Sequence, residues 1–442
     1  MAADPVRDAG VGVLLRVFEH GAFLERALDR TLGRRQLSDR GRRFLTQLVY
    51  GTVRHRLLCD YVLEGRLHQP LDELPGPIRA ILRMGVFQSL FCRQVTFPSM
   101  VHTSVELAKR RGHAGTARLV NAVLRRVPQG MEDVALPPLE DRARYLSVRY
   151  SVPQWLVAEW LSEHGDAGAE KLCDAAASEA PVTLRTNTLK TTPEQLLGAL
   201  GKAGCVAEKR TAIPEEVTVV TGPPPARSKQ FDQGHFLVQD GASMLPPHLL
   251  EPQPGERVLD LCAAPGGKAT HVAQLTQGHA TVVAMDVQPG RLHRVSENAE
   301  RLATTRVALL AGDGANAPLR PDFDRVLVDA PCSGLGTLRR HPDLKWRAAR
   351  EDRERLTRCQ SALLRSGVGV CKNGGVVVYS VCTFTRAETT NVVATVLNAG
   401  GVELEDGPEW LSLWKIETGQ YRILPENGGL DGYFLTRLRK VS

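Results

Sequence analysis

Arg257-Val258-Leu259-Asp260-Leu261-Cys262-Ala263-Ala264-Pro265-Gly266-Gly267-Lys268 is the stretch that decides how the chain is read. A short apolar run, 257–262, meets a Gly-rich turn, and a helical pattern follows from about 268. Glycines there let a ligand approach the backbone closely, and the next helix offers free N–H groups. The turn is neither G-x-G-x-x-G nor a Walker A loop, so a dinucleotide is a poor fit. Outward from it, strands are expected at 281–286, 306–310, 325–329 and 376–380, with helices near 268–276, 290–303, 352–371 and 386–399. The alternation predicts an open, mostly parallel sheet with helices on both faces, a Rossmann-like α/β domain over 236–442. The run 431–438 reads as a last, antiparallel strand.

Three features fall at strand ends in order: the turn, Asp286 and Asp313. A carboxylate at the second strand end can accept from both ribose hydroxyls of a nucleoside, and Asp313 could accept from an adenine amino group. Both acids could instead cap helices. Together they suit an adenosine-bearing cofactor with no pyrophosphate to hold, which is S-adenosylmethionine.

Asp329-Ala330-Pro331-Cys332 ends the fourth strand and Cys382 the fifth. A lone strand-end cysteine is usually a small apolar filler. Two on the carboxyl edge of one sheet, the first beside Asp329, suggest a covalent thiol mechanism. C5 of cytosine is a poor nucleophile, and a thiolate adding to C6 pushes electron density onto it. Asp329 is placed to act as the acid near N3, with Lys268 beside it. A second cysteine can assist release of the adduct. Cys59, Cys92, Cys173, Cys205, Cys359 and Cys371 lie in helical or generic surroundings and read as packing residues.

Upstream, 10–127 reads as all helix, with Ser38-Asp39 able to cap one of the helices. Residues 1–130 hold 21 Lys/Arg against 11 Asp/Glu, a balance of +10, while the rest of the chain is −3. A basic excess confined to one region suggests a polyanionic partner; the plainer reading is a solvated helical surface. Proline-rich breaks at 128–138 and 223–225 bracket a small α+β module, about 140–235, with strands at 182–187 and 217–220 around a helix at 193–203. No apolar run reaches membrane-spanning length. No secretory signal is apparent, and nine cysteines without a C-x-x-C pair fit a reducing cytoplasm and no zinc ribbon.

The segment 236–442 resembles the RNA cytosine-5 methyltransferases of the Sun/Nop2 type. Leu259–Lys268 looks like their cofactor motif, and Asp329–Gly334 with Leu338-Arg339-Arg340-His341-Pro342-Asp343-Leu344-Lys345-Trp346 looks like their Pro-Cys motif and its extension. Phe236–Ser243 resembles the segment preceding the fold. Residues 1–130 are similar to the NusB-like helical domain of the bacterial 16S rRNA members, with Asn121–Arg126 carrying much of the likeness, and 140–235 is similar to their connecting domain. The resemblance implies S-adenosylmethionine held by Cys262, Ala263, Ala264, Pro265, Gly266, Gly267, Lys268, Asp286, Arg291, Asp313 and Asp329. It implies Cys382 as the nucleophile and Cys332 as the residue aiding release, a ranking the residues themselves leave open. A target base must leave its stack or lie in a loop to reach a buried thiol, so the expected substrate is free 16S rRNA or an early assembly intermediate, and a cytoplasmic monomer without a metal is expected. A tRNA methyltransferase and a non-catalytic RNA-binding assembly or antitermination factor stand as alternatives. The family usually has Thr where Val381 stands, and Phe384–Asn391 keeps only Glu388 and Asn391 of its acidic and Asn run.

Overall fold

The computed structural model describes residues 4–210, 212–347, 350–425 and 429–441. They form two compact units, and the chain crosses between them more than once. The first unit holds the described residues up to Glu179 together with Leu338–Arg347; the second holds Ala180–Thr337 and the described residues from 350 onward.

The first unit is helical: α1 (Pro5–Phe18), α2 (Leu24–Arg34), α3 (Asp39–Arg54), α4 (Arg56–Glu64), α5 (Gly76–Phe91), α6 (Phe97–Arg111), α7 (Ala114–Leu124), α8 (Arg142–Tyr150) and α9 (Gln154–Ala177). Asp4 caps α1, and Ser38 caps α3 by accepting from the Gly41 N–H. Leu14, Leu45, Val49, Ile81, Leu107 and Leu124 are among its fully buried side chains. Arg40, Arg43, Lys109 and Arg110 remain exposed, so part of the basic excess faces solvent.

The run 338–347 belongs to this helical unit although the sequence places it just after the Pro-Cys turn. Lys345 is 1% exposed and donates to the carbonyls of Arg54 and Ser151, at 3.3 and 3.1 Å. Burial pushes its amine down to about 7. The Trp346 indole N–H donates to the Val53 carbonyl at 3.0 Å, and Asp343 accepts from the Leu24 N–H at 3.2 Å. The run 338–347 of a catalytic-domain motif therefore packs within the helical unit.

The second unit contains two sheets. The smaller is built from β1 (Val182–Thr186), β2 (Val206–Glu208), β3 (Glu216–Thr221) and β4 (Phe236–Val238) in the order β2-β3-β1-β4, antiparallel throughout. Helices α10 (Pro193–Lys202) and α11 (Lys229–Asp232) accompany it. Leu184, Val217 and Phe236 pack on Leu196 and Leu200 of α10. β4 pairs with β1, so the first residues of the 236–243 segment complete this sheet.

The larger sheet holds the candidate site. After α12 (Leu245–Leu250) come β5 (Arg257–Asp260), α13 (Gly267–Leu275), β6 (Thr281–Asp286), α14 (Pro289–Leu302), β7 (Val307–Ala311), β8 (Phe323–Asp329), α15 (Arg350–Val370), β9 (Cys371–Val381), α16 (Thr390–Leu397), β10 (Val402–Leu404), β11 (Lys415–Glu417), β12 (Gln420–Ile423) and β13 (Tyr433–Lys440). The order is β11-β12-β13-β9-β8-β5-β6-β7, with β10 also paired to β13. Strands β5 to β9 run parallel, and β13 adds antiparallel to β9, as the sequence pattern requires. Alternate residues serve opposite cores: Val376 and Val378 pack with α12, α13 and α14, while Val377, Tyr379 and Val381 pack with α15 and α16. Burial on both faces is why a central strand such as β9 reads as a nearly continuous apolar run. The strand order reverses between β5 and β8, and ligands of such sheets bind at the carboxyl ends flanking that point.

One consequence can be measured on the run 338–347. Trp346→Ala should destabilise the helical unit by about 2–3 kcal/mol, below the usual cost for a fully buried aromatic because Trp346 is only partly covered. Urea unfolding followed by helical circular dichroism reads it, and an unchanged midpoint would remove the indole from the core.

Candidate active site

The switch point between β5 and β8 sets two carboxylates side by side, Asp260 at the end of β5 and Asp329 at the end of β8. Asp329 is the hub. Its Oδ2 accepts from Lys268 Nζ at 2.6 Å, and its Oδ1 accepts from Ser380 Oγ at 2.7 Å and Tyr433 OH at 3.2 Å. Lys268 also donates to Ser243 Oγ at 3.1 Å and to Tyr433 OH at 3.0 Å. Lys268 sits in the first turn of α13, Ser380 near the end of β9 and Tyr433 at the start of β13, so three elements converge on one carboxylate.

The two motif cysteines meet. Cys332 Sγ and Cys382 Sγ are 3.1 Å apart, and both are partly exposed. The bond to Cys382, with desolvation, pushes the Cys332 thiol well up. Either sulfur can donate across this contact.

The turn that carries Cys332 is held from below. Glu388 is fully buried; its Oε1 accepts from the Ser333 N–H at 2.8 Å and from Gln360 Nε2 at 3.0 Å, and its Oε2 accepts from Ser333 Oγ at 2.5 Å. Gln360 also donates to the Pro331 carbonyl at 3.0 Å. Gly336 lies so close to Gly432 that an added Cβ would sit 1.9 Å from the Gly432 oxygen. That approach admits only glycine and fixes β13, with Tyr433, against the Pro-Cys turn. Val381 is buried in the α15–α16 core, whereas Cys382 packs against the opposite one. The departure from the family's Thr thus lies on the far side of the strand from Cys382, in the core against which Cys332 packs.

The glycine turn is shaped for close approach. Gly266 has φ +99°, and an added Cβ would sit 3.0 Å from Val295 Cα. Asp286 is 3% exposed; its Oδ2 accepts from the Ala264 N–H at 3.3 Å and its Oδ1 from the Gln288 N–H at 2.9 Å. Arg291 pairs with Asp286 Oδ2 at 3.3 Å and donates to the Ala264 carbonyl at 2.7 Å, bracing strand end against turn. Asp313 is exposed and caps a short turn by accepting from the Ala315 N–H at 3.0 Å. Cys262, Ala263, Ala264 and Pro265 line the turn, and desolvation pushes the half-buried Cys262 thiol well up.

Asp260, Ser243, Ser380, Tyr433 and Glu388 were given no role by motif reasoning. Ser380 and Asp260 could have been found from their strand-end positions beside Cys382 and the turn. Tyr433 and Glu388 reach the site only through tertiary packing.

The geometry defines a nucleoside-binding α/β fold with a paired-thiol site, and the comparisons place it in a family. The chain is 34% identical over its whole length to the probable ribosomal RNA small subunit methyltransferase B of Bacillus subtilis, covering 100% of both. It is 32% identical to ribosomal RNA small subunit methyltransferase B of Pseudomonas putida, over 99% of this chain and 98% of that one. The family model described as 16S rRNA methyltransferase RsmB/F matches residues 247–439, the NusB family 4–129, and the RsmF/B-like ferredoxin-like domain 152–224. The solved structure of PH0851 matches with TM-score 0.83 at 25% identity, over 99% of this chain and 100% of that one. NSun6 from Pyrococcus horikoshii, solved with SFG, shares the fold with TM-score 0.60 at 23% identity, over 66% of this chain and 98% of that one. The chain belongs to the RsmB/F family of 16S rRNA methyltransferases. Among the described residues no helix is long and apolar enough to cross a membrane.

A methyltransferase family implies S-adenosylmethionine, and the residues fit it. Asp260 is 1% exposed and its Oδ2 has no hydrogen-bond partner among the described residues. Burial first, and then the charge of Asp329, push its carboxyl up to about 7. An orphaned acid beside a glycine turn suits the ammonium of the cofactor, and Asp286 suits its ribose.

A pH dependence follows. Near neutrality Asp260 is part protonated, and a bound cation favours the ionised form, so binding releases a proton. Affinity for S-adenosylmethionine should rise with pH, by roughly ten-fold between pH 6 and 8 for a group titrating near 7. Asp260→Asn should flatten that rise. Calorimetry at several pH values tests it, and a parent affinity independent of pH would detach Asp260 from the cofactor.

Proposed function

We propose that this protein transfers a methyl group from S-adenosylmethionine to C5 of a cytosine in 16S rRNA, through a covalent bond between Cys382 and C6. The observation that carries the reading is the 3.1 Å thiol pair set beside the Lys268–Asp329 ion pair. Family membership supports rRNA as the substrate class over tRNA. The intact set of Cys332, Cys382, Asp329 and Lys268 speaks for turnover over a purely structural role in assembly. The exposed arginines and lysines of the helical unit supply phosphate contacts. The target cytosine has to leave its stack or lie in a loop to reach the thiols, which favours free rRNA or an early assembly intermediate.

The residues divide the work. Cys382 Sγ bonds to C6 while the C5–C6 double bond opens and N3 gains a proton from the Asp329–Lys268 pair. Tyr433 and Ser380 hold Asp329 so that this proton is delivered at a fixed point. S-adenosylmethionine would supply an electrophilic methyl to the electron-rich C5 and leave as S-adenosylhomocysteine. Cys332 hands its proton to the departing Cys382 sulfur and takes up the C5 proton in exchange, so the C5–C6 double bond re-forms as the S–C6 bond breaks. N3 returns its proton to the Asp329–Lys268 pair. Asp329→Asn should slow the reaction by about 10²–10⁴-fold, the usual worth of acid assistance, while cofactor binding persists.

The cysteine roles separate on a denaturing gel. Cys382→Ala should give no methylation and no RNA-linked band. Cys332→Ala should accumulate RNA-linked protein, because attack and transfer proceed and release stalls. Bisulfite sequencing of rRNA treated with the parent protein should show one protected cytosine. An RNA-linked band from Cys382→Ala and none from Cys332→Ala would exchange the two roles.

A further inference from the structure

Arg185 lies in β1 of the smaller sheet, far in sequence from every motif of the site, yet it grips the cofactor turn. It is 1% exposed. Its Nη1 donates to the Gly267 carbonyl and, at 2.7 Å, to Gln239 Oε1; its Nη2 donates to Thr270 Oγ1 at 2.9 Å. Thr270 Oγ1 in turn donates to the Gly266 carbonyl at 2.7 Å. The fork therefore holds both glycines of the turn and the first turn of α13.

The grip continues to the reacting groups. Gln239 Nε2 donates to the Ser243 carbonyl at 2.9 Å, and Ser243 Oγ accepts from Lys268 Nζ. A line of polar contacts runs Arg185, Gln239, Ser243, Lys268, Asp329. A second contact from the small sheet reaches the same helix, where Gln274 Nε2 donates to the Thr186 carbonyl at 3.0 Å. A third is Glu215, whose Oε1 lies 2.5 Å from His271 Nε2 and 2.9 Å from His248 Nε2. These short contacts set Glu215 against α13 through His271 and against α12 through His248.

A guanidinium at a helix N-terminus opposes the helix dipole, so Arg185 is not there to stabilise α13. Its nearest partners are neutral oxygens, and burial without a bonded carboxylate is costly. The planar fork reaches its acceptors from two nitrogens held in one rigid plane, a geometry that a single ammonium nitrogen does not reproduce.

We propose that Arg185 is a positioning residue for methyl transfer, fixing the glycine turn and, through Gln239 and Ser243, the aim of Lys268 at Asp329. The small sheet is then part of the frame of the cofactor site as well as a connector. This rests on the reading of the turn as the S-adenosylmethionine site.

The test uses the full chain with Arg185→Lys and Gln239→Ala, and Asp286→Ala as a reference at the turn. Calorimetry with S-adenosylmethionine and with S-adenosylhomocysteine measures the cofactor, filter binding at fixed salt measures RNA, and thermal melts fix a temperature at which every variant is folded. Arg185→Lys should weaken both cofactor ligands at least ten-fold and raise KM for S-adenosylmethionine, with RNA affinity within two-fold of the parent. Gln239→Ala should lower kcat more than it weakens the cofactor, because it breaks only the link to Lys268. A lower melting temperature with unchanged cofactor affinity in Arg185→Lys would make the residue merely structural and overturn the proposal. Affinity lost in Asp286→Ala but kept in Arg185→Lys overturns the proposal alone. Affinity unchanged in both overturns the assignment of the turn to the cofactor.

Discussion

The ion pair between Lys268 and Asp329 is the contact on which the site depends. A carboxylate at the end of one parallel strand and an amine in the first turn of the neighbouring helix meet only if β5 and β8 are adjacent and parallel. The strand order provides that, and the reversal at the same point leaves a crevice above the two strand ends. The remaining partners then close around it: Ser380 from β9, Tyr433 from β13 and Ser243 from the segment before α12. Each is a neutral donor or acceptor, so the pair's hydrogen bonds are completed without a further charge in direct contact.

The thiols follow from the same frame. β8 and β9 are neighbours, so Cys332 and Cys382, each just past a strand end, are brought together across a single ladder spacing. Glu388 supplies the rigidity a two-thiol reaction needs by binding Ser333, Gln360 and the Pro-Cys turn in one buried carboxylate. The partner sulfur and burial push the Cys332 thiol well up, an effect that the two motifs cannot state because it depends on a distance.

The parallel strands were legible because burial on both faces writes uninterrupted apolar runs such as Val376–Tyr379, and the glycine turn was legible because Gly266 needs a backbone that other residues rarely adopt. The site residues at strand ends followed from those two signals. β11 carries Lys415, Ile416 and Glu417, all exposed, and leaves no pattern to read. β4 was visible as apolar sequence, but its pairing with β1 depends on a partner some fifty residues away. The run 338–347 reads as an extension of the catalytic motif, and only its contacts with Val53, Arg54 and Ser151 show which core it fills. Arg185 and Asp260 carry ordinary local sequence; their importance lies in the carbonyls one grips and the partner the other lacks.

The central claim is that Cys382 bonds to C6 of a cytosine. It is tested most directly with 16S rRNA transcribed with 5-fluorocytidine, in which fluorine replaces the C5 proton whose loss frees the enzyme. Incubation with the parent protein and S-adenosylmethionine, nuclease and protease digestion, and mass spectrometry of the linked peptide identify the residue. The account predicts a methylated fluoropyrimidine attached to the peptide containing Cys382. A nucleotide attached to Cys332, or methylated RNA with no protein attached, would contradict it.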